Sequence, residues 1–264
     1  MVGLNIYIIS LRNSPRREFQ EKQFSKLGLD FKFINAITKD DISNQDNDYT
    51  NWERPLHLSE IACYKSHRNA WKITSSSNNP SLILEDDALI SNELPKLIQD
   101  IISLKNADYI NLENRNRKKI VSKKKTYFNG VFSFLKLYHD STGAAGYILY
   151  PNGARKLLNF ENRHGFALAD AQISRCNSLY KYQVEPALII QLDMTSIYKI
   201  STDDRLFQLS QSTVSFTNKP RKSFSYFYRR VYSQFKLGIR KIYLSFYAVR
   251  RDIDIAAKDS FDLS

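Results

Sequence analysis

The chain has 264 residues, 42% of them hydrophobic and 13% aromatic, which is enough apolar material for a folded core and excludes a fibre or a disordered linker. Its formal net charge is +12, but ten Lys/Arg and no Asp/Glu fall within 219–251, whereas residues 1–218 carry 28 basic and 23 acidic side chains. The basic character therefore belongs largely to a C-terminal segment and does not by itself indicate a nucleic-acid-binding protein.

The N-terminal apolar run, 4–11, is too short for a signal-peptide core or a membrane span, so we expect a cytoplasmic protein. Cys63 and Cys176 belong to no CxxC or Cys/His cluster. We expect both to be buried, reduced thiols and neither to bind zinc or form a disulfide.

The first half of the chain alternates strand and helix signals. After the strand 4–11, Ser14 reads as an N-cap with Pro15 at the first helical position, and Gly28 ends that helix. Further elements are predicted as a strand over 31–34, irregular chain over 40–55, a helix capped by Ser59 and ending near Ile73, and a strand over 81–84.

The second half continues the pattern, with a helix near 93–104, a strand over 107–112, an exposed basic loop over 115–125, a helix over 151–158 and a strand-like run over 184–192. Such alternation predicts an α/β fold with a mostly parallel central sheet. Ligands of such sheets bind beyond the carboxyl ends of the strands. The strand ends are therefore the places to look for a site.

The most informative segment is Glu85-Asp86-Asp87, which directly follows the apolar run 81–84. In extended chain the first and third side chains face the same way. Glu85 and Asp87 could then hold Mn²⁺ or Mg²⁺ against a nucleotide diphosphate, with Asp87 as the principal metal ligand. The alternative is an acidic surface turn at the start of a helix.

Three arginines, Arg12, Arg16 and Arg17, follow the first strand and occupy the first helical turn. Guanidinium groups and free backbone N–H groups at this position could bind a phosphate, and ordinary surface arginines are the alternative. His67 lies on a helix face from which it could bind a hydroxyl or phosphate, although a lone helical histidine is more often structural. Asp170 is the isolated carboxylate best suited to deprotonate an acceptor hydroxyl.

Four ordered blocks of the sequence resemble glycosyltransferase family 25, which contains bacterial lipooligosaccharide galactosyl- and glucosyltransferases and is related to collagen galactosyltransferases. The blocks are 8–12 with Arg16 and Arg17, 58–63 with Ser66, His67 and Trp71, 82–88, and 143–147 with Gly153. The likeness departs from the family pattern at Ser10 and Ser59, where the family commonly has Asn and Gly.

The resemblance implies a GT-A-like nucleotide-sugar-binding fold and a reaction that inverts the anomeric carbon. It assigns the acidic motif to the donor and metal, and the later Asp, Asp170, to catalysis. With the residues singled out above, the expected metal ligands are Asp87 and Glu85. The expected donor-binding residues are Ser10, Leu11, Arg12, Arg17, His67, Glu85, Asp86, Gly143 and Gln191.

The C-terminal segment has the pattern of a basic amphipathic helix. Its apolar residues recur at spacings of three and four: Phe224, Phe227, Tyr228, Val231, Phe235, Ile239, Ile242 and Phe246. We therefore divide the chain into a catalytic domain, 1–217, and a helical tail, 218–264. The tail could lie on an anionic membrane surface, or its apolar face could pack on the catalytic domain.

Together these features predict an inverting glycosyltransferase that moves a hexose, with galactose expected, from a UDP-sugar to a lipid-linked lipooligosaccharide acceptor. We expect it to be peripheral on the cytoplasmic face of the inner membrane and to bind no nucleic acid. Two alternatives remain open: a metal-dependent phosphoesterase built on the acidic triplet, and a non-catalytic nucleic-acid-binding protein that uses the basic tail.

Overall fold

In the computed structural model, residues 3–43, 52–101, 106–127, 131–140, 143–201, 208–210, 228, 231, 235, 238–239 and 242–261 are described. Ten strands of this part form one sheet, in the order β12-β6-β8-β10-β5-β9-β3-β1-β2 with β7 paired to β8. The remaining strands, β4 and β11, form a separate antiparallel pair.

The strands are β1 (Asn5–Ser10), β2 (Lys32–Asn35), β3 (Ser81–Glu85), β4 (Ala88–Ile90), β5 (Tyr109–Asn111), β6 (Lys119–Ser122), β7 (Thr126–Tyr127), β8 (Ser133–His139), β9 (Gly146–Leu149), β10 (Lys181–Glu185), β11 (Ile189–Gln191) and β12 (Ala248–Arg251).

The α-helices are α1 (Arg16–Leu27), α2 (Leu58–Ser75), α3 (Leu94–Ile101), α4 (Pro151–His164), α5 (Ala169–Arg175) and α6 (Thr195–Tyr198). Gly28 ends α1 in the left-handed region, as predicted. Ser59 is not the cap of α2, because the N-cap is His57, two residues earlier, which forms a reciprocal capping box with Glu60. Asp170 lies inside the first turn of α5.

The α/β class is confirmed, but the prediction of a mostly parallel sheet is wrong. Parallel pairing joins β2, β1 and β3, and also β5 and β10. β9 lies between β3 and β5 and is antiparallel to both, and β8 is antiparallel to β10. The carboxyl ends of β1, β3 and β5 therefore meet the amino end of β9 at one edge of the sheet.

Each face of the sheet buries its own apolar cluster, because side chains alternate along a strand. Ile8, Leu82 and Leu84 face one cluster. Ile9, Ile83 and Tyr147 face the other, where Trp71 of α2 packs. Glu85 continues the alternation of Ile83, so its side chain points to the face that α2 covers.

The expectation of an exposed loop over 115–125 is wrong for its centre. Residues Lys119–Ser122 form β6, a strand within the sheet, and Lys119 is only 1% exposed. The strand-like run 184–192 is also divided, since β10 ends at Glu185 and β11 begins at Ile189 in a different sheet.

The predicted tail returns to the fold at its C-terminal end. β12 pairs antiparallel with β6, and Phe261 is buried in the core cluster that contains Ile8. Phe224, Phe227 and most basic residues of the tail lie outside the described residues. Among the helices that are described, none combines the length and the apolar character needed to cross a bilayer.

Candidate functional site

The two outer carboxylates of the acidic triplet converge on one amide. Glu85 ends β3, and Asp87 lies two residues later in the chain. Gln191 at the end of β11 donates its Nε2 group to Glu85 Oε2 at 3.3 Å and to Asp87 Oδ1 at 3.4 Å. Because β11 pairs with β4 directly after the triplet, Gln191 stands opposite Ala88 and reaches both side chains. Glu85 and Asp87 thus face the same way, as strand alternation predicts.

Asp86 points in another direction and is held by the chain after β1. Its Oδ2 accepts hydrogen bonds from Ser10 Oγ at 2.8 Å and from Ser14 Oγ at 2.9 Å, while Arg16 pairs with Oδ1 at 3.2 Å. β1 and β3 are parallel with Ile9 opposite Glu85, so Ser10 and Asp86 follow at matching positions. Asp86 therefore fixes the loop between β1 and α1.

The first-loop arginines differ in their surroundings. Arg17 donates to the carbonyl oxygens of Leu11 and Ser10 and to Asn35 Oδ1, and its guanidinium lies over the Phe33 ring. Arg12 is exposed and forms no ion pair in the part of the chain that the structure describes. Arg16 is the arginine whose charge acts on Glu85 and Asp87.

His67 links Glu85 to the core through a chain of hydrogen bonds. Its Nε2 lies 3.0 Å from Glu85 Oε1, and its Nδ1 lies 2.9 Å from the Tyr147 hydroxyl. Trp71 Nε1 donates to the same hydroxyl at 2.8 Å. An indole N–H can only donate, so the Tyr147 oxygen accepts from Trp71 and can donate its hydrogen to Nδ1. In that arrangement Nε2 carries the ring hydrogen and donates it to Glu85.

Glu85 and Asp87 are both half-buried, but their pKa values shift in opposite directions. Burial opposes ionisation of Glu85, but the hydrogen bond and electrostatic interaction with His67 and the positive charges of Arg115 and Arg16 together lower its pKa. Burial and the neighbouring negative charge of Glu85 raise the pKa of Asp87 to about 7. Two ionised carboxylates here would be unfavourable without a compensating cation or donor.

Asp170 interacts electrostatically with two residues of the same group, Glu85 and His67. Its Oδ1 accepts the Ala171 N–H at 2.7 Å in the first turn of α5. Burial raises the pKa of Asp170 to about 6, and the negative charges of Asp140 and Glu85 add to the shift. Asp170 lines a small cavity together with Asp140 and Gly143. Gly143 and Asp170 therefore both lie near the edge of the sheet where the carboxyl ends of β1, β3 and β5 meet.

Glu113, which the sequence reading did not single out, lies directly under Gly143. It follows β5, is 1% exposed, and accepts the Ala145 N–H at 2.9 Å through Oε2. Burial raises the pKa of Glu113 to about 8. A Cβ on Gly143 would lie 2.3 Å from Glu113 Oε2, and Gly143 has a φ of +91°. Only glycine fits this close approach.

A buried ion pair completes this edge of the sheet. Lys119 Nζ lies 2.8 Å from Asp140 Oδ2, and Asn111 donates to the same oxygen at 2.9 Å. Lys119 also donates to the Glu113 carbonyl oxygen at 2.7 Å. The pair therefore ties β6 and β5 to the chain that leads from β8 to Gly143.

Cys63 is not the buried thiol that was expected, although Cys176 is. Solvent reaches Cys63, yet enough protein surrounds its thiol that burial, followed by the negative charges of Glu85, Asp170 and Asp87, raises its pKa. The Cys63 thiol therefore lies between solvent and the group of carboxylates at the site. Cys63 also lies near His67 and Glu85, which contradicts the expectation that it belongs to no Cys/His cluster.

The chain was compared with known proteins. It is 26% identical over 260 residues to the lipooligosaccharide biosynthesis protein lic2B of Haemophilus influenzae, covering 86% of this chain and 95% of that protein. It is 30% identical over 175 residues to procollagen galactosyltransferase 1-B of Xenopus laevis, covering 59% of this chain and 28% of that protein. A glycosyltransferase 25 family member of Anopheles gambiae is 26% identical over 168 residues, which cover 58% of this chain and 28% of that protein.

The family model described as glycosyltransferase family 25 (LPS biosynthesis protein) matches residues 4–171, a span that contains the acidic triplet, His67, Gly143 and Asp170. The chain is therefore a glycosyltransferase of family 25.

Proposed function

We propose that this protein transfers a hexose, with galactose as the expected sugar, from a UDP-sugar to a saccharide acceptor of lipooligosaccharide, with inversion at the anomeric carbon. The observation that carries the proposal is the convergence of Glu85 and Asp87 on Gln191, with His67 and Asp170 beside them. Four separate parts of the fold, β3, β11, α2 and α5, bring acidic and neutral polar groups to one edge of the sheet, where α/β sheets bind nucleotides.

Asp170 is suited to take the proton of the acceptor. A base with a pKa of about 6 is mostly ionised at neutral pH and still accepts a proton. As the acceptor oxygen forms its bond to the anomeric carbon, that hydroxyl gives its proton to Asp170. The bond from the anomeric carbon to UDP breaks on the opposite face, and UDP leaves with the bonding electron pair.

The residues at the triplet fit a divalent cation. Asp87 is a half-buried carboxylate whose pKa is raised by desolvation and by the negative charge of Glu85, and the Gln191 Oε1 atom is buried without a hydrogen-bond partner among the described residues. Asp87 and Glu85 would hold Mn²⁺ or Mg²⁺, both of which prefer oxygen ligands. Such a cation, when bound, offsets the negative charge of the leaving diphosphate.

The sugar and the acceptor are proposed from two of the relatives. The procollagen galactosyltransferase supports galactose, and the lipooligosaccharide biosynthesis protein lic2B supports a lipooligosaccharide acceptor. The lic2B match spans almost all of both chains, whereas the procollagen enzyme is matched over 28% of its length. The acceptor is therefore proposed from the bacterial relative.

The test is a thermal-shift screen with UDP-galactose, UDP-glucose and UDP-N-acetylglucosamine, each with and without Mn²⁺, followed by transfer assays with the stabilising donor. We expect a donor-selective rise in Tm that Asp87→Ala removes, because a ligand that binds only the folded state stabilises it. Asp170→Asn should keep the donor-induced shift and lose transfer. Equal Tm for all donors, or full transfer by both folded variants, would reject the proposal.

A phosphoesterase and a glycosyltransferase differ in their need for an acceptor. A phosphoesterase would release phosphate or nucleotide at the same rate with and without a saccharide. A glycosyltransferase should release UDP much faster when the acceptor is present. Measuring UDP release with and without acceptor separates the two.

We also propose that the C-terminal segment contacts an anionic membrane surface on the cytoplasmic face of the inner membrane. Phe235 is 67% exposed and Phe246 is 78% exposed, and Val231, Ile239 and Ile242 at the same helical spacing are also exposed. Leu244 and Ala248, in contrast, are buried against Ile120. A solvent-exposed apolar stripe flanked in sequence by ten Lys/Arg fits an interfacial helix, where each cation contributes about 1 kcal/mol near anionic lipid.

This proposal is tested by vesicle cosedimentation. We expect the protein to bind vesicles rich in phosphatidylglycerol and to be released by salt, because lipid attraction of this kind is screened. Phe235→Ser with Phe246→Ser should weaken binding at least tenfold, while Val131→Ser, at a residue 64% exposed elsewhere, should not. Equal binding of both variants would reject a role for the stripe.

A further inference from the structure

Three side chains of a kind that binds zinc lie together beside the acidic triplet. Cys63 and His67 are one helical turn apart on α2, and Glu85 comes from β3 opposite them. One potential ligand atom from each residue lies within 4.8 Å of the other two. Residues at positions i and i+4 lie on the same helix face, so the helix itself holds sulfur and nitrogen side by side.

We propose that Cys63, His67 and Glu85 form a binding site for a thiophilic divalent cation of the Zn²⁺ class, with a fourth position open to water or a ligand. Bond lengths of about 2.3 Å to sulfur and about 2.0 to 2.2 Å to nitrogen and oxygen require the three atoms to approach slightly, which a rotation of the exposed Cys63 side chain provides. Thiolate and imidazole ligands select Zn²⁺ over Mg²⁺.

The surroundings favour a cation at this position. His67 Nδ1 faces the Tyr147 oxygen at 2.9 Å, the type of partner that orients a metal-binding imidazole from behind. A cation at Nε2 would take the place of the ring hydrogen that otherwise lies between His67 and Glu85; the ring hydrogen would then be carried by Nδ1 and donated to the Tyr147 oxygen, which reverses the direction of that hydrogen bond. Asp87 and Asp170 add negative charge close to the Cys63 thiol, so a cation is favoured electrostatically.

This site differs from the proposed Mn²⁺ or Mg²⁺ site in its ligands and shares only Glu85 with it. If the proposed function is right, a Zn²⁺ ion here removes Glu85 and His67 from the donor site. Zn²⁺ should then inhibit transfer and compete with the UDP-sugar. The metal-binding step itself does not depend on the proposed function.

The first experiment detects the thiolate directly. Metal-free full-length protein, kept reduced with a phosphine, is titrated with Co²⁺ and then with Zn²⁺. We expect a near-ultraviolet thiolate-to-cobalt charge-transfer band with visible tetrahedral bands, both lost when Zn²⁺ displaces Co²⁺. Cys63→Ser should lose the charge-transfer band and bind Zn²⁺ at least tenfold more weakly, whereas Cys176→Ser should behave as the native chain does.

A cobalt spectrum without a charge-transfer band, or a Zn²⁺ affinity unchanged within twofold in Cys63→Ser, would overturn the site. The second experiment measures transfer with Zn²⁺ at several UDP-sugar concentrations. Competitive inhibition that is lost in Cys63→Ser supports the link to the donor site. Zn²⁺ binding without inhibition in a protein that does transfer sugar would overturn that link, and failure of transfer without Zn²⁺ would count only against the proposed function.

Discussion

The Nε2 atom of His67 lies 3.0 Å from Oε1 of Glu85, which makes the first carboxylate of the acidic triplet the end of a hydrogen-bonded chain that begins at Trp71. His67 and Tyr147 are buried, so no solvent competes for these bonds. The orientation of Glu85 is therefore set from within the core. Removing a middle member of the chain should affect both stability and the site.

We expect Tyr147→Phe to lower the free energy of unfolding by about 1–3 kcal/mol, because it leaves Trp71 Nε1 and His67 Nδ1 without their shared partner. It should also weaken UDP-sugar binding, since Glu85 loses its support. Tyr150→Phe is a matched control because the Tyr150 hydroxyl makes one long bond of 3.4 Å. Urea unfolding and donor titration check the prediction, and equal effects of the two variants would contradict it.

For Asp170→Asn we expect opposite effects on activity and stability. Transfer should fall by a factor of roughly 10²–10⁴, the range for loss of a general base. The folded pKa of about 6 is above the usual aspartate value of 3.8, so Asp170 contributes stability at low pH that is lost as pH rises through 6. The variant, which cannot ionise, should therefore be more stable than the native chain at pH 8, by up to about 3 kcal/mol, and similar to it at pH 4.

In the native protein, kcat/KM should rise with pH through about 6 and then level off. The measurements are pH-rate profiles with urea unfolding at pH 4 and pH 8. A variant that is equally destabilised at both pH values and retains transfer would contradict the assignment.

Glu113→Gln should be tolerated, and its effect should depend on pH. Glutamine keeps an acceptor for the Ala145 N–H and carries no charge. The folded pKa of about 8 lies above the usual glutamate value of 4.5, so stability from protonated Glu113 is lost as pH rises towards and through 8. Relative to the native chain, the glutamine variant should gain stability between pH 5 and pH 9.

Glu113→Ala should instead be less stable at pH 5 by about 1–3 kcal/mol, because Ala145 N–H loses its acceptor. Urea unfolding of the native chain and both variants at pH 5 and pH 9 gives all the values needed. A glutamine variant whose stability difference stays constant with pH would show that Glu113 is ionised throughout.

Two glycines allow strain and steric clash to be separated. Gly28→Ala should cost roughly 1–2 kcal/mol, because φ is +64° there but no atom lies within 4 Å of an added Cβ. Gly143→Ala should cost more, because its φ of +91° is combined with a contact of 2.3 Å to Glu113. Thermal unfolding of both variants tests the difference.

Combining Gly143→Ala with Glu113→Ala should cost less than the two single changes added together, since the truncated side chain no longer meets the new methyl group. A purely additive result would mean that the clash relaxes by another route.

Local patterns in the sequence predicted the parts of the site that depend on one element. Strand alternation placed Glu85 and Asp87 on one side, and Pro15 with Gly28 bounded the first helix to within one residue. The i and i+4 spacing of Cys63 and His67 was also visible in the sequence. It was overlooked because the usual short-range zinc patterns pair cysteines two residues apart.

The parts of the fold and of the site that were not predicted depend on contacts between segments far apart in the sequence. Tyr147 meets Ile83 and Asn111 only because β9 inserts antiparallel between β3 and β5, an arrangement that no local pattern encodes. The sequence predicted Lys119 in an exposed basic loop, because sequence alone does not distinguish a lysine that is paired with Asp140 inside a sheet from a solvated lysine. β12 was not predicted, because its residues fall within the segment whose aromatic pattern predicted a helical tail.

The pairing of β12 with β6 changes how the aromatic stripe can act. Ahead of the stripe, the Leu209 carbonyl oxygen accepts a hydrogen bond from Arg16, and behind it β12 is fixed in the sheet. The chain on either side of the stripe is thus attached to the catalytic fold. If lipid holds Phe235 and Phe246 as proposed, these attachments limit how the candidate site can be oriented above the bilayer, which restricts the acceptor sugars that can reach it.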